Sequence, residues 1–482
     1  MSLLLRNVEV EGVLVDVRVT DGRISEVATE LSADQAEVLD GTGGALIPGL
    51  HDHHLHLYAT AATSTSVSVG PAEVRDLDGL RRALADVDDS LAPGRWLRAV
   101  GYHASVAGDL DRDALDRLVP ERPLRVQDRT GARWTLNSAA IGALGLDARS
   151  DLGIERDASG RPTGRLHRVD SWLRHLLPPS AAPDLAALGA QLASCGVTGV
   201  TDTTPFDDLD DLATLAAAVA DGSLPQRVAV AGSPELGDVV LPAGLERGPV
   251  KLVIDDAAYP ALDGLAAQID GAHRAGRAIA IHCVTRTSLV LALAAWEVAG
   301  SRQGDRVEHG SVIPVELIAD LRRHDLTVVT QPGFVGERGD EYRREVDGED
   351  LAHLHRCRSL LDAGVRVAGS TDAPYTAPDP WRSMRAAVTR TSPSGAIIGE
   401  HEALGPRQAL GLFLGDLHDP GGPHRAIAPG EAADLCLLDR PLEAALERLT
   451  SDAVVATVCA GRLVHDARAP ADRRRARVNR RG

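Results

Sequence analysis

The stretch Pro48-Gly49-Leu50-His51-Asp52-His53-His54-Leu55-His56-Leu57 restricts this chain more than any other. Side chains alternate along a strand. On the run Ala45 to Leu57, His54 and His56 therefore share one face with Asp52 behind them, and His51, His53, Leu55 and Leu57 point the other way. Two imidazoles about 7 Å apart on one pleat face can bind a single divalent ion without loop rearrangement. Two hydrogen-bonded histidines on a half-buried strand would leave the same pattern, so the rest of the chain decides between them. Pro48-Gly49 marks where a preceding segment ends and this strand begins.

Among 51 basic side chains Lys251 is the one lysine, and it lies in the apolar run Val250 to Ile254. Where charge alone matters, arginine serves. A buried lysine can also lose its proton and act as a nucleophile or accept carbon dioxide, which arginine cannot do. Chance survival of one codon is the competing explanation.

Around these residues the pattern predicts an α/β fold, a (β/α)8 TIM-like barrel with a small β-sandwich built from both chain termini. Residues 3–48 read as short strands turned at Glu11-Gly12 and Asp21-Gly22. From Pro48 onward, strands alternate with helical patterns. Strands are expected at 46–57, 199–202, 228–231, 250–254, 278–282, 306–309, 327–330 and 366–368, the eight a closed barrel needs. Helices are expected between most of them, at 184–194, 209–220, 261–275, 287–299, 314–323 and 351–363. The gap between the first two strands is too long for one crossover and implies an insertion at about 66–195, with a hairpin turned at Ser159-Gly160. The last strands, 433–438, 454–459 and 462–465, return to pair with the first. The expected domains are therefore 1–48 plus 425–482 for the sandwich and 49–424 for the barrel. The arginine-rich end, Asp472 to Gly482, reads as a frayed solvated tail.

Composition removes several function classes. A net charge of −18 argues against nucleic acid as a partner, and no apolar run approaches the ~18 residues that span a bilayer. Five cysteines without Cys-x-x-Cys spacing suggest reduced thiols in the cytoplasm. The expected partners are a small-molecule substrate and, for assembly, a second copy in a homodimer.

Catalytic residues of such barrels come from the C-terminal ends of different strands. His54, His56, Lys251, His282 and His309 fall at or near strand ends in barrel order, and Asp372 follows the last strand in Gly369-Ser370-Thr371-Asp372-Ala373-Pro374. Lys251 fits least well, because the expected strand begins only at Val250. Tyr102, His103, Arg129, Arg133, Trp134, Phe334 and Trp381 are the candidate substrate contacts, clustered at insertion and loop positions in a chain with only 3% aromatics.

These residues resemble the metal-dependent amidohydrolase superfamily, in the branch that includes N-substituted formamide deformylases. The likeness runs from Pro48-Gly49 and His-x-His through Asn137-Ser138-Ala139-Ala140 and Gly196 to Asp202. It continues through Val250-Lys251-Leu252, Ile281-His282, Arg306-Val307-Glu308-His309 and Gly369 to Pro374, and ends at Pro429 to Leu435. The resemblance implies a sandwich around a barrel. It also implies two divalent metal ions, zinc the expected one, held by His54, His56, His282, His309, Asp372 and an N6-carboxylysine at Lys251. The sequence departs from the pattern at Ala132, where the branch often has histidine, and at Cys283-Val284-Thr285-Arg286; both lie where substrate should sit.

A lysine carbamate is an anionic bidentate ligand able to bridge two ions. A hydroxide between them is nucleophilic near neutral pH. Asp372 would take the proton and return it to the leaving nitrogen. The expected activity is hydrolysis of an amide, N-formyl or cyclic amide C–N bond. Two alternatives stand beside it, a mononuclear deaminase of an aminated ring and a non-catalytic barrel used for binding. The absence of a glutamate shortly after His282 weighs against the first, and the complete ligand set weighs against the second.

Overall fold

The computed structural model describes residues 2–151, 153–177, 183–206, 209–237 and 239–469. The expected tail at 472–482 lies outside them. Eight parallel strands form the central sheet: β1 (Leu50–Leu55), β2 (Val197–Phe206), β3 (Arg227–Gly232), β4 (Leu245–Val253), β5 (Ile279–Cys283), β6 (Arg306–His309), β7 (Thr327–Thr330) and β8 (Arg366–Gly369). They pair in chain order from β1 to β8. Their residues are largely buried on both sides, as a barrel wrapped in helices requires.

The ring is closed by individual bonds. Asp372 N–H donates to the His54 carbonyl at 2.8 Å, and His56 N–H to the Ala373 carbonyl at 2.9 Å. The Thr371 backbone N–H and hydroxyl both donate to the Asp52 carboxylate, at 3.0 and 2.5 Å. Burial raises the Asp52 carboxyl to about 7.

The expected strand at 46–57 is in fact two. Leu46–Pro48 pairs antiparallel with Leu435–Leu438, and β1 begins after Gly49. A Cβ on Gly49 would lie 2.2 Å from the Thr198 side chain, so only glycine lets the chain pass from one sheet to the other here. The sandwich consists of two four-stranded sheets. One comes from residues 2–40, and the other joins Leu46–Pro48 to strands between 435 and 466. Leu3, Leu5, Val17 and Val19 of the first pack with Leu435, Leu437, Ala456 and Val458 of the second, so both chain ends share one core.

Residues Tyr58–Asp184 form a separate compact unit. It carries a six-stranded mixed sheet, including the hairpin Ile154–Arg156 with Pro162–His167, around a core with Leu80, Leu84, Leu97, Leu124 and Val126.

Two further expectations need correction. β4 starts at Leu245, not Val250, so Lys251 lies near its C-terminal end. The helix expected at 351–363 is broken into Gly348–Leu351 and Arg358–Asp362. Between them His355 takes a left-handed φ of 45°, and the buried Arg390 guanidinium donates to the Leu354 and His355 carbonyls at 2.8 and 3.1 Å.

Candidate functional site

At the C-terminal end of the barrel, His54 Nε2 and His56 Nε2 each lie 3.5 Å from Asp372 Oδ1. His309 Nδ1 is 3.7 Å from Asp372 Oδ2. The His309 ring centroid is 4.6 Å from that of His54 and 4.5 Å from that of His282. His54, His309 and Asp372 offer ligand atoms that all lie within 4.8 Å of one another. Lys251 is 4% exposed, and its Nζ has no hydrogen-bond partner. The charged groups that act on it are Glu308, Asp372 and Arg306.

The electrostatics suit cation binding. Burial, ahead of the neighbouring charges, holds His54 and His309 well below the usual histidine range and pulls Lys251 below its ordinary value. Neutral imidazoles are what a metal ion binds, and a neutral amine is what reacts with carbon dioxide. His309 and Asp372 both have left-handed backbones, φ 68° and 56°. Such conformations cost about 1–3 kcal/mol in non-glycine residues and gather at functional sites.

Four residues that sequence reasoning missed orient the candidate ligands. Glu308, fully buried, meets His54 Nδ1 with one carboxylate oxygen and Arg306 Nε with the other, the latter at 2.5 Å. Gln331 Oε1 lies 3.0 Å from His309 Nδ1, and Gln331 donates to Ser370 Oγ at 2.9 Å. Thr204 Oγ1 is 3.1 Å from His56 Nδ1, while Asp202 accepts from the Thr204 and Leu57 N–H groups at 2.9 and 3.1 Å. Partners on Nδ1 leave Nε2 of His54 and His56 aimed at a common space. Gln331 follows β7, and Asp202 closes the strand expected at 199–202, so the strand-end rule that found the histidines would have found these two. Alternation puts Glu308 and His309 on opposite faces; the left-handed turn at His309 breaks that rule.

The seven candidate substrate contacts are divided between the two compact units. Tyr102, His103, Arg129, Arg133 and Trp134 belong to the inserted unit. There Tyr102 is buried and its hydroxyl donates to the Gly108 carbonyl at 2.5 Å. His103 caps the short helix Ala104–Ala107, and the Arg129 N–H donates to the Tyr102 carbonyl at 2.8 Å. Arg133 pairs with Asp109 at 2.9 Å, and Trp134 is buried beneath Arg98 and Arg125. In the barrel unit Phe334 stacks on His355, with centroids 5.6 Å apart. Trp381 is fully buried and donates to the Cys195 carbonyl at 2.9 Å. Tyr102 and Trp381 are thus buried aromatic side chains whose polar atoms bond backbone carbonyls.

The family model described as Amidohydrolase family matches residues 37–465. N-substituted formamide deformylase of Arthrobacter pascens is 28% identical, over 93% of this chain and 94% of its own. Among solved structures, a metal-dependent hydrolase of Pyrococcus horikoshii OT3 superposes with a TM-score of 0.69 at 19% identity, over 91% of this chain and 98% of its own. An atrazine chlorohydrolase variant of Arthrobacter aurescens TC1, complexed with zinc and atraton, gives 0.58 at 15% identity, over 99% of both chains. With the match spanning sandwich, barrel and insertion alike, the chain belongs to the amidohydrolase family.

Proposed function

We propose that this chain is a binuclear metal-dependent hydrolase of the C–N bond of a small amide, N-formyl compound or cyclic amide. One observation carries the reading. Asp372 Oδ1 is buried without a hydrogen-bond partner, 3.5 Å from two imidazole Nε2 atoms, in the same interior as the orphaned Lys251 Nζ. Unpaired buried polar atoms of this kind cost roughly 1–3 kcal/mol each, and divalent cations would satisfy them together.

The donor set fits such ions. His54, His56, His282, His309 and Asp372 would hold them, with zinc the expected metal, a choice supported by the zinc in the atrazine chlorohydrolase neighbour. Lys251 completes the set as N6-carboxylysine: the neutral amine adds to carbon dioxide, an N–C bond forms and one proton leaves. That turns a neutral buried amine into an anion. Bound divalent ions supply Lewis-acid polarisation of the scissile carbonyl and lower the pKa of water.

The chain's own residues do the rest. Glu308 accepts from His54 Nδ1–H and thereby fixes the tautomer that presents Nε2. Gln331 does the same at His309 Nδ1. Asp372 takes a proton at its carboxylate and returns it to the leaving nitrogen. The formamide class is supported by the Arthrobacter pascens relative, which matches along nearly the whole chain. The cytoplasm is the proposed location, on the ground that all five cysteines are buried and free. No helix among the described residues is long and apolar enough to cross a membrane.

Metal analysis of the purified protein followed by a panel of formamides, amides and cyclic amides tests the reading. Two ions per chain and hydrolysis of one substrate class are expected, both lost in His54→Ala/His56→Ala. Unchanged metal content and turnover in that variant would refute it.

A further inference from the structure

The opposite end of the barrel holds a cavity of about 240 Å³ that the proposed chemistry does not use. Arg247, Arg277, Arg302, Arg306, Gln303 and His418 line it, and no acidic residue does. Its walls sit at the beginnings of strands: Arg247 lies early in β4, Arg277 just before β5, and Arg302 to Arg306 at the start of β6. In a chain almost without lysine, arginine identity says little. Position says more, because the protein as a whole carries −18 and these arginines line one small space.

The bonds that hold Arg247 and Arg302 leave their charge in place. Arg247 donates to the Gly237 and Val239 carbonyls, and Arg302 to the His273 carbonyl at 3.3 Å. Neutral carbonyls aim a guanidinium without neutralising it. Arg306 is 2% exposed, and its Nη2 has no hydrogen-bond partner although its Nε meets Glu308. Among the carboxylates, Glu308 thus serves Arg306, and Glu246 takes His418 at 2.7 Å and Arg227 at 2.8 Å. Converging, pre-aimed guanidiniums are the usual recognition element for phosphate and carboxylate oxygens. The volume is below that of ordinary organic ligand pockets, which selects a small anion.

We propose that this arginine-lined cavity at the N-terminal end of the barrel binds a small tetrahedral oxyanion, either free inorganic phosphate or the phosphoryl group of a small monoester. The site is separate from the candidate metal centre.

Calorimetric titration of inorganic phosphate into the holoenzyme at low ionic strength tests this, with glycerol phosphate in a parallel arm to separate the two sources. Exposed charge interactions are least screened under those conditions. A binding event is expected that persists in His54→Ala/His56→Ala, which removes any phosphate held at the metal centre. It should weaken at least about tenfold in Arg302→Gln and in Arg247→Gln, each removing one charge-assisted donor. Both arginines are only partly buried, so circular dichroism should show folded variants, and either one alone decides the outcome. Tighter binding of glycerol phosphate than of phosphate assigns the monoester, and the reverse assigns the free ion. No binding to the wild type overturns the proposal. So does binding that disappears with the two histidines, or that survives in a folded arginine variant.

Discussion

Replacing Lys251 by methionine should stabilise the metal-free protein while abolishing its chemistry. Lys251 is buried, its Nζ has no partner, and burial pulls its pKa below the ordinary lysine value. The cost of keeping it has a ceiling, because the amine can escape charge by losing its proton. At pH 7, deprotonating a group whose ordinary pKa is about 10.4 costs about 4–5 kcal/mol. A neutral buried amine without a hydrogen bond adds about 1–3 kcal/mol. Methionine is also unbranched and similar in length, and its misfit should cost under about 1.5 kcal/mol. These terms cap the net gain in the metal-free state at about 8 kcal/mol, and a gain is the expected sign.

The gain has a definite pH dependence. The folded pKa is the lower one, so the unfolded state binds the extra proton, and the metal-free wild type becomes more stable as pH rises towards 10. The methionine advantage should therefore shrink from pH 7 to pH 9, by at most about 1.4 kcal/mol per pH unit. Urea titrations of chelator-treated protein in buffer free of carbon dioxide measure this directly. After reconstitution, Lys251→Met should bind at most one ion and hydrolyse nothing. Lys251→Arg should fold, lose at least one ion and be inactive, and Lys251→Ala should recover some activity with bicarbonate and a short carboxylic acid. A metal-free Lys251→Met less stable than wild type would refute the reasoning from burial. Two ions and normal turnover in Lys251→Arg would refute the carbamate.

Asp372→Asn should keep the fold and most of the metal yet lose hydrolysis by about 10²–10⁴-fold or more, measured as kcat; near-normal turnover would move the proton transfer elsewhere. Glu308→Gln should weaken metal affinity about 10–100-fold in a chelator competition, since His54 loses the carboxylate that fixes its tautomer, and unchanged affinity would make Glu308 a packing residue only. At the surface, the bond from His418 holds Glu246 down at about 2, and His418 is raised in return. Because the folded pKa of His418 is the higher one, its contribution is fully present below about pH 6.5 and is lost as pH rises through the folded value. Both groups are partly exposed, so His418→Ala should cost at most about 1 kcal/mol at pH 5.5 and almost nothing at pH 9 in thermal melts. An equal cost at both values would show that packing, not charge, is what the substitution removes.

The residues legible in the sequence are those whose information is local. His54 and His56 stand two apart on one strand, His282 and His309 close strands recognisable by their apolar runs, and Asp372 follows the last one. Lys251 was misplaced within its strand because Leu245 to Pro249 carries charges, glycine and proline, and only the parallel ladder to β3 and β5 makes it extended. The broken helix at 351–363 has the same origin. Its period is helical, but Arg390 draws the Leu354 and His355 carbonyls into bonds from 35 residues or more away along the chain. Composition alone does not assign the aromatic residues: where only 3% of residues are aromatic, the buried Trp381 and Tyr102 are as valuable to the core as to a pocket.

What no local pattern carries is the orientation of the ligands. His54 is aimed by Glu308, 254 residues later, and Asp372 is held by a backbone bond to His54 across the barrel seam. The left-handed backbones of His309 and Asp372 are unfavourable in isolation and persist because the surrounding strands determine them. Bonds that close the ring, from Asp372 N–H to His54 and from His56 N–H to Ala373, are thus the same bonds that set three of the candidate ligands at their spacing. Barrel closure and assembly of the site are therefore one event. A substitution that loosens the seam, such as Asp52→Ala beneath Thr371, should degrade metal affinity and stability together rather than separately.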